Sequence, residues 1–138
     1  MLELPAGLPK RCARFGLSLF FVLAGANHFL NPDFYVEMMP PYLPAHLELV
    51  YLSGLLESLG GAAVLAPTVR ARSGWAIVLL LVAVFPANLH MALNPDLFPD
   101  MSVGALYLRL PLQILLIVWA YWATRPDGVV SDAEAAAA

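Results

Sequence analysis

Four apolar runs dominate this sequence, and each is about 20 residues long, the length that a helix needs to cross the ~30 Å hydrocarbon core of a membrane. Hydrophobic residues make up 61% of the chain and charged residues only 12%, whereas a soluble domain is about one quarter charged. A single core facing water could not bury this much apolar surface, so lipid must solvate much of the chain. The runs are Cys12–Leu30, Leu47–Ala66, Trp75–Leu93 and Ala105–Thr124.

In lipid, an open chain satisfies its backbone hydrogen bonds only as a helix. The sequence therefore predicts an all-α fold, an antiparallel four-helix transmembrane bundle. We expect a single membrane domain over residues 1–126, followed by a short tail over residues 127–138. This tail is rich in alanine and acidic, and we expect it to be disordered or only partly helical. Gly54, Ser58 and Gly61 lie three or four residues apart in the second run, a spacing that lets neighbouring helices approach closely.

The charged residues between the runs indicate the orientation. The loops after the first and third runs carry Asp or Glu and no Lys or Arg. By the positive-inside rule, the basic segments and both termini lie in the cytoplasm. We expect the first run to be retained as a span, because no small-residue cleavage site follows it. The basic residues outside the spans or at their edges are Lys10, Arg11, Arg14, Arg70, Arg72 and Arg125.

Charge and cysteine content exclude two classes of function. The net charge is −3, and no clustered basic face is present to bind phosphates, so no nucleic-acid partner is expected. Cys12 is the only cysteine in the sequence. An intramolecular disulfide and thiol exchange by a CxxC pair are therefore excluded.

Polar residues within the runs concentrate in the half of the membrane away from the cytoplasm. Ser53 and Glu57 share one helix face, as do Arg109 and Gln113, because four residues separate each pair. His90 lies about 200° around the helix from Asn88, so we expect Asn88 to point inward and His90 towards the rim. The sequence predicts a polar, ligand-binding pocket in the outer half of the bundle, lined by His28, Ser53, Glu57, Asn88, Arg109 and Gln113.

Glu57 and Arg109 are the two formal charges deepest in the runs. A charge at the centre of a membrane helix costs about 2.5–3.5 kcal/mol on insertion scales, so both side chains are expected to turn inward and meet. In a functional interpretation they form the polar floor of the pocket, with Glu57 as a proton carrier or ligand anchor. In the alternative interpretation they are a structural ion pair that fixes the register of the helices.

His28 has several interpretations: a proton relay, a ligand contact, an axial ligand, or an interfacial histidine bonded to a loop. A haem held by two histidines would need His90, whose helical angle disfavours it. A metal site built from His28, Glu57 and His90 has no recognised spacing, so no metal is predicted.

Prolines mark two further features. Pro86 and Pro111 each free a carbonyl four residues earlier, at Val82 and Tyr107, which indicates either a cavity or a packing kink. The first outer loop, residues 31–46, is rich in proline and aromatic residues. Its prolines favour a stiff extended path. The loop is either a lid over the pocket or an interfacial aromatic belt.

Four strings of this sequence resemble the DoxX-like family of small bacterial membrane proteins. They are AGANHFLNPDFYVEMMPPYLP (Ala24–Pro44), SGLLESLGG (Ser53–Gly61), AVFPANLHMAL (Ala83–Leu93) and LRLPLQ (Leu108–Gln113). The resemblance implies a multi-pass bundle in the bacterial cytoplasmic (inner) membrane, and relatives that are accessory proteins or quinone-linked subunits of membrane redox systems.

Two functions from different classes are compatible with these observations. In the first, the chain is an accessory or quinone-linked subunit of a membrane redox complex, whose pocket binds a quinone and whose electrons come from partner subunits. In the second, it is a non-enzymatic assembly factor or scaffold whose polar cluster is structural. The sequence contains no complete catalytic site and no evident ligand set for a redox cofactor, so enzymatic activity is left open. A homo-oligomer is compatible with either function.

Overall fold

The computed structural model describes residues 2–3, 7–126 and 129–130. The described chain contains five α-helices and one short 3-10 helix at Pro95–Leu97. Strands β1 (Leu2–Glu3) and β2 (Val129–Val130) pair antiparallel, which brings the two ends of the described chain together. The rest of the tail predicted over residues 127–138 lies outside the described residues. The helices are α1 (Leu8–Leu30), α2 (Pro32–Glu37), α3 (His46–Ala63), α4 (Arg70–Leu93) and α5 (Val103–Thr124).

The prediction of an all-helical fold is confirmed, and the boundaries of the helices differ by a few residues from those of the apolar runs. Helices α1 and α4 begin before the apolar runs do, since Lys10, Arg11 and Arg70 are good helix formers that hydropathy leaves out. Helix α5 begins at a side-chain cap, where the Ser102 hydroxyl accepts a hydrogen bond from the backbone N–H of Ala105 at 3.2 Å.

Three of the four predicted spans, α1, α4 and α5, are long and apolar enough to cross a membrane. Helix α3 is not among them, because its polar residues, Glu48 and Glu57 among them, lower its mean hydropathy. Large apolar side chains point away from the bundle, and Leu19, Leu79 and Leu115 are each more than 60% exposed. Such a surface is suited to lipid.

The four long helices pack in a ring in which α1 contacts α3, α3 contacts α4, α4 contacts α5, and α5 contacts α1. The contact of α1 with α3 is the most extensive. A Cβ atom at Gly54 would lie 2.6 Å from the Cβ of His28, and one at Gly61 would lie 2.9 Å from the Cβ of Phe21. The small residues predicted to permit close approach therefore do so. On the other side, Gly74 of α4 packs directly against the Thr124 side chain of α5.

Basic side chains bind free backbone carbonyls at one end of the bundle, which we call the basic end. Arg14 Nε donates to the carbonyl of Ala123 near the end of α5 at 2.8 Å. Arg70 Nε donates to the carbonyl of Val64, just after α3, at 2.8 Å. The last carbonyls of a helix lack partners within it, so these residues stabilise helix ends.

Two apolar clusters leave space between them. At the basic end, the cluster includes Leu17, Phe21, Ile77 and Leu81. At the opposite end it consists of Met38, Met91 and Leu106. The polar side chains of the candidate site lie between these two clusters.

The first outer loop does not follow the extended path that its prolines suggested. Residues Pro32–Glu37 form the short helix α2, which contacts α1 and α3. Pro32 occupies the first turn, where its fixed φ angle favours a helix and its missing N–H costs nothing, and Asp33 lies at the positive end of the helix dipole. The expectation of an extended segment was therefore wrong for these residues.

Candidate functional site

A cavity of about 440 Å³ lies between the two apolar clusters, lined by residues of the four long helices and bordered by α2. All of the side chains predicted for the pocket line it: His28, Ser53, Glu57, Asn88, Arg109 and Gln113. These six side chains meet in one cavity because they lie at similar depths on four helices that pack together. Their role in binding a ligand stays a prediction. Most of the other lining residues are apolar: Phe20, Phe21, Ala24, Met38, Met39, Val50, Leu81, Val84, Ala87, Leu112 and Leu116.

His28 and Glu57 form one polar wall of the cavity. His28 Nδ1 lies 3.6 Å from Glu57 Oε2 and 2.8 Å from the carbonyl oxygen of Ala24. Since a carbonyl can only accept, His28 carries a proton on Nδ1. Glu57 is 8% exposed, and its Oε2 atom has no hydrogen-bond partner within the described part of the chain. The close approach of α1 and α3 at Gly54 brings the two side chains together.

Arg109 lies on another wall, on α5, and the expected ion pair with Glu57 is not formed within residues 7–126. Helix α3 packs on α1 and α4, and α5 packs on the same two helices. The acid and the arginine therefore face the same cavity from helices that lie across the bundle from each other. Arg109 Nη1 instead contacts the Met38 sulfur at 3.5 Å and the Met91 sulfur at 3.6 Å. Thioether sulfur is a weak acceptor, so this guanidinium has donor capacity left.

Asn88 and Gln113 join α4 to α5 at the floor of the cavity. Asn88 Nδ2 donates to Gln113 Oε1 at 2.7 Å, and Gln113 Nε2 donates to the carbonyl of Leu81. Leu81 precedes Val82, whose carbonyl loses its helical donor because Pro86 has no N–H. Gln113 therefore binds the carbonyl next to the freed one, and neither Pro86 nor Val82 lines the cavity.

We expect Gln113→Leu to lower the free energy of unfolding, because it leaves Asn88 Nδ2 without its partner and removes the side-chain hydrogen bond to the Leu81 carbonyl. Side-chain hydrogen bonds in membrane proteins contribute about 0.6 kcal/mol on average and up to about 1.7 kcal/mol. The double variant Asn88→Leu/Gln113→Leu should lose less than the sum of the two single variants. Equilibrium unfolding in mixed detergent measures all three, and strict additivity would contradict the coupling.

The structure adds Tyr35 to the site, a residue the sequence assigned only to the loop. The Tyr35 ring stacks on the His28 ring at 3.7 Å between centroids, and the Tyr35 hydroxyl accepts a hydrogen bond from Asn27 Nδ2 at 2.7 Å. Met38, buried at the end of α2, also lines the cavity. The Asn-Pro-Asp start of α2 was the only local signal that this segment folds back over the helices.

His90 lies outside the lining. Its Nδ1 is 3.2 Å from Asn94 Nδ2, and its ring meets the Phe98 ring edge to face, with 6.3 Å between the centroids. Asn88 points into the cavity instead, as the 200° separation on the helix requires. Within the described residues, no three side chains of His, Cys, Asp or Glu converge as a metal site would need.

The site can therefore offer different chemistry on its facing walls. Arg109 presents N–H donors, and the opposite wall presents an imidazole and a carboxyl group that can exchange protons. Ser53 adds a hydroxyl beside Glu57. The space between them is mostly apolar, which is typical of sites that hold a small apolar molecule by a few placed polar groups.

Comparison with curated proteins and with solved structures gives no match to this chain. A family model described as a domain of unknown function, DUF8561, matches residues 17–124. This match runs from the middle of α1 to the last residue of α5 and includes every residue that lines the cavity. The chain therefore belongs to the DUF8561 family.

Proposed function

We propose that this protein is a multi-pass protein of the bacterial cytoplasmic membrane whose cavity binds a quinone ring, as an accessory or quinone-linked subunit of a membrane redox system. In this proposal all four long helices cross the bilayer as an antiparallel bundle with both termini in the cytoplasm. Helix α3, with its 18 residues, extends about 27 Å at 1.5 Å per residue, close to the ~30 Å of the hydrocarbon core. An even number of crossings agrees with the pairing of β1 with β2.

The observation that carries the proposal is the arrangement of polar groups around one apolar cavity. A quinone is a flat ring with carbonyl oxygens at opposite edges. Arg109 could donate to one of them, while His28 and Glu57 stand on the opposite wall. The cavity volume of about 440 Å³ is within the range of ~300–1,000 Å³ for small-molecule sites.

Quinone reduction also needs protons and electrons. His28 and Glu57 are adjacent, with 3.6 Å between Nδ1 and Oε2, and in this proposal one of these two titratable groups exchanges a proton with a ring oxygen. The electrons come from a partner subunit in this proposal, because the sequence offers one cysteine and no ligand set for a redox centre. Kinship with the DoxX-like family belongs to the same proposal and rests on the four sequence strings.

We expect the protein purified in mild detergent to retain quinone, and a short-tailed ubiquinone to raise its thermal stability. Ligand at 100 times its Kd stabilises a folded protein by about 2.7 kcal/mol. The measurements are lipid extraction with chromatography, and thermal unfolding with and without the quinone. An alkylbenzene of similar size, which has no carbonyl, is the control. No quinone in the extract, together with equal effects of the two additives, would argue against the proposal.

A second candidate is a non-enzymatic assembly factor or scaffold, and the bonds from Asn88 to Gln113 and on to Leu81 favour it. These bonds join α4 to α5 directly, and no ligand is needed to complete them. Tyr42, 71% exposed in the outer loop, would then contact a partner subunit. Here Glu57→Gln combined with Arg109→Met should retain activity in cells, whereas Tyr42→Ser should abolish co-purification of the partner.

A further inference from the structure

A groove of about 640 Å³ opens between α3 and α4, and we call it the α3–α4 groove. It is separate from the cavity of the candidate site, which we call the central cavity. Small residues, among them Gly60, Ala63, Ala76 and Ala83, leave the space between the two helices, and leucines such as Leu56 border it. No residue of the central cavity lines this groove. The two spaces therefore differ in lining and in position around the bundle.

One end of the groove is charged and the remainder is apolar. Arg72 is exposed and is the one cation among the lining residues; it lies at the basic end, in the first turn of α4. The neighbouring Arg70 donates to the carbonyls of Val64 and Leu65. Ser73 also lines the groove, but its hydroxyl donates to the carbonyl of Gly60 at 2.5 Å. Among the described residues that line the groove, the basic group available at this end is therefore the Arg72 guanidinium.

The length of the groove matches one leaflet of a membrane. From Arg72 to Ala83 the helix rises about 16 Å at 1.5 Å per residue, which is half of the ~30 Å hydrocarbon thickness. An apolar channel of that length with a cation at its polar end has the shape and charge of a site for one lipid chain and its headgroup. The first turn of α4 adds the positive end of its dipole, and no side chain caps it.

We infer that the α3–α4 groove binds an acyl chain of an anionic phospholipid, with the lipid phosphate paired to Arg72. A phosphate accepts charge-assisted hydrogen bonds from a guanidinium in a way that a neutral headgroup cannot. The inference needs α3 and α4 to lie in the membrane, but it does not depend on what occupies the central cavity. Phosphatidylglycerol, with one net negative charge, is the appropriate probe.

The test measures lipid binding to the intact protein in mild detergent by native mass spectrometry and by thermal unfolding. We expect phosphatidylglycerol to bind more tightly than phosphatidylcholine with the same chains, and Arg72→Gln to weaken phosphatidylglycerol binding about tenfold. Arg11→Gln removes the same charge from α1 outside the groove and should leave the preference intact. Arg72→Lys keeps the charge and should retain most of it.

The apolar part of the site has its own matched pair of variants. Ala76→Leu fills the groove and should weaken binding of both lipids, whereas Ala62→Leu, on an exposed part of α3 outside the lining, should not. Glycerol phosphate alone should not stabilise the protein. Any one of three results would overturn the inference. The two lipids could bind equally, Arg72→Gln and Arg11→Gln could weaken phosphatidylglycerol binding equally, or glycerol phosphate alone could give the full stabilisation.

Discussion

Replacing Gly25 with alanine should separate α1 from α3 and lower the free energy of unfolding by about 1–3 kcal/mol, the usual cost of overpacking a tight core. A Cβ atom at Gly25 would collide with the Ser58 hydroxyl and with the backbone of Gly54 and Ser58. Backbone atoms cannot rotate away as a flexible side chain can, so the two helices must move apart. Thermal unfolding in detergent measures the loss.

Gly104→Ala is the matched control for this change. It is the same substitution within a long helix, but no atom outside its local surroundings lies within 4 Å of the added methyl group. Alanine favours the middle of a helix over glycine by about 0.5–1 kcal/mol, and Gly104 lies in the first turn of α5, so this variant should be as stable as the wild type or slightly more stable. Similar effects from both substitutions would contradict the view that the α1–α3 contact depends on the missing side chain at Gly25.

Replacing Arg109 with methionine should weaken binding of a short-tailed ubiquinone tenfold or more. A hydrogen bond to a charged group contributes about 1.5–3 kcal/mol, and each 1.4 kcal/mol is about tenfold in affinity. Within the described part of the chain, the hydrogen bonds of the guanidinium go to the sulfurs of Met38 and Met91 through Nη1, which leaves donors for a ring oxygen. Methionine is apolar and of similar length, so the bundle should fold.

The affinity is measured by titrating the purified protein with the quinone and following the thermal shift. His90→Gln is the control, since His90 has a similar depth but does not line the cavity. Wild-type affinity in a folded Arg109→Met protein would exclude Arg109 as a quinone contact. It would also favour the scaffold alternative, in which these polar groups only hold the helices.

Helices could be predicted from this sequence because lipid allows so few alternatives for a long apolar run. Their ends were less predictable. Arg70 begins α4 five residues before the apolar run at Trp75, because a helix can continue through charged residues once it leaves the apolar layer. Helix α2 was missed since prolines were interpreted as extending the chain, whereas Pro32 at the first position of a helix starts one.

The sequence predicted which residues line the candidate site, but not which of these residues contact each other. Depth and helical angle bring Glu57 and Arg109 to one cavity, and these two quantities can be obtained from spacing alone. Which helices are neighbours cannot be obtained that way. In the structure α3 lies next to α1, so the partner near Glu57 is His28 at 3.6 Å and not the arginine. Tyr35 reaches the cavity because α2 folds back over the long helices, and a local sequence pattern does not determine this folding back.

The tight glycine contacts have a mechanical consequence. Gly25 and Gly54 bring α1 close to α3, and Gly74 brings α4 close to α5 around Thr124, so the bundle divides into two tightly packed halves with less extensive contact between them. The central cavity lies between these halves, with Glu57 on the first half and Arg109 on the second. A molecule held by both would act as a removable cross-link, and its arrival or departure would change how freely the halves hinge.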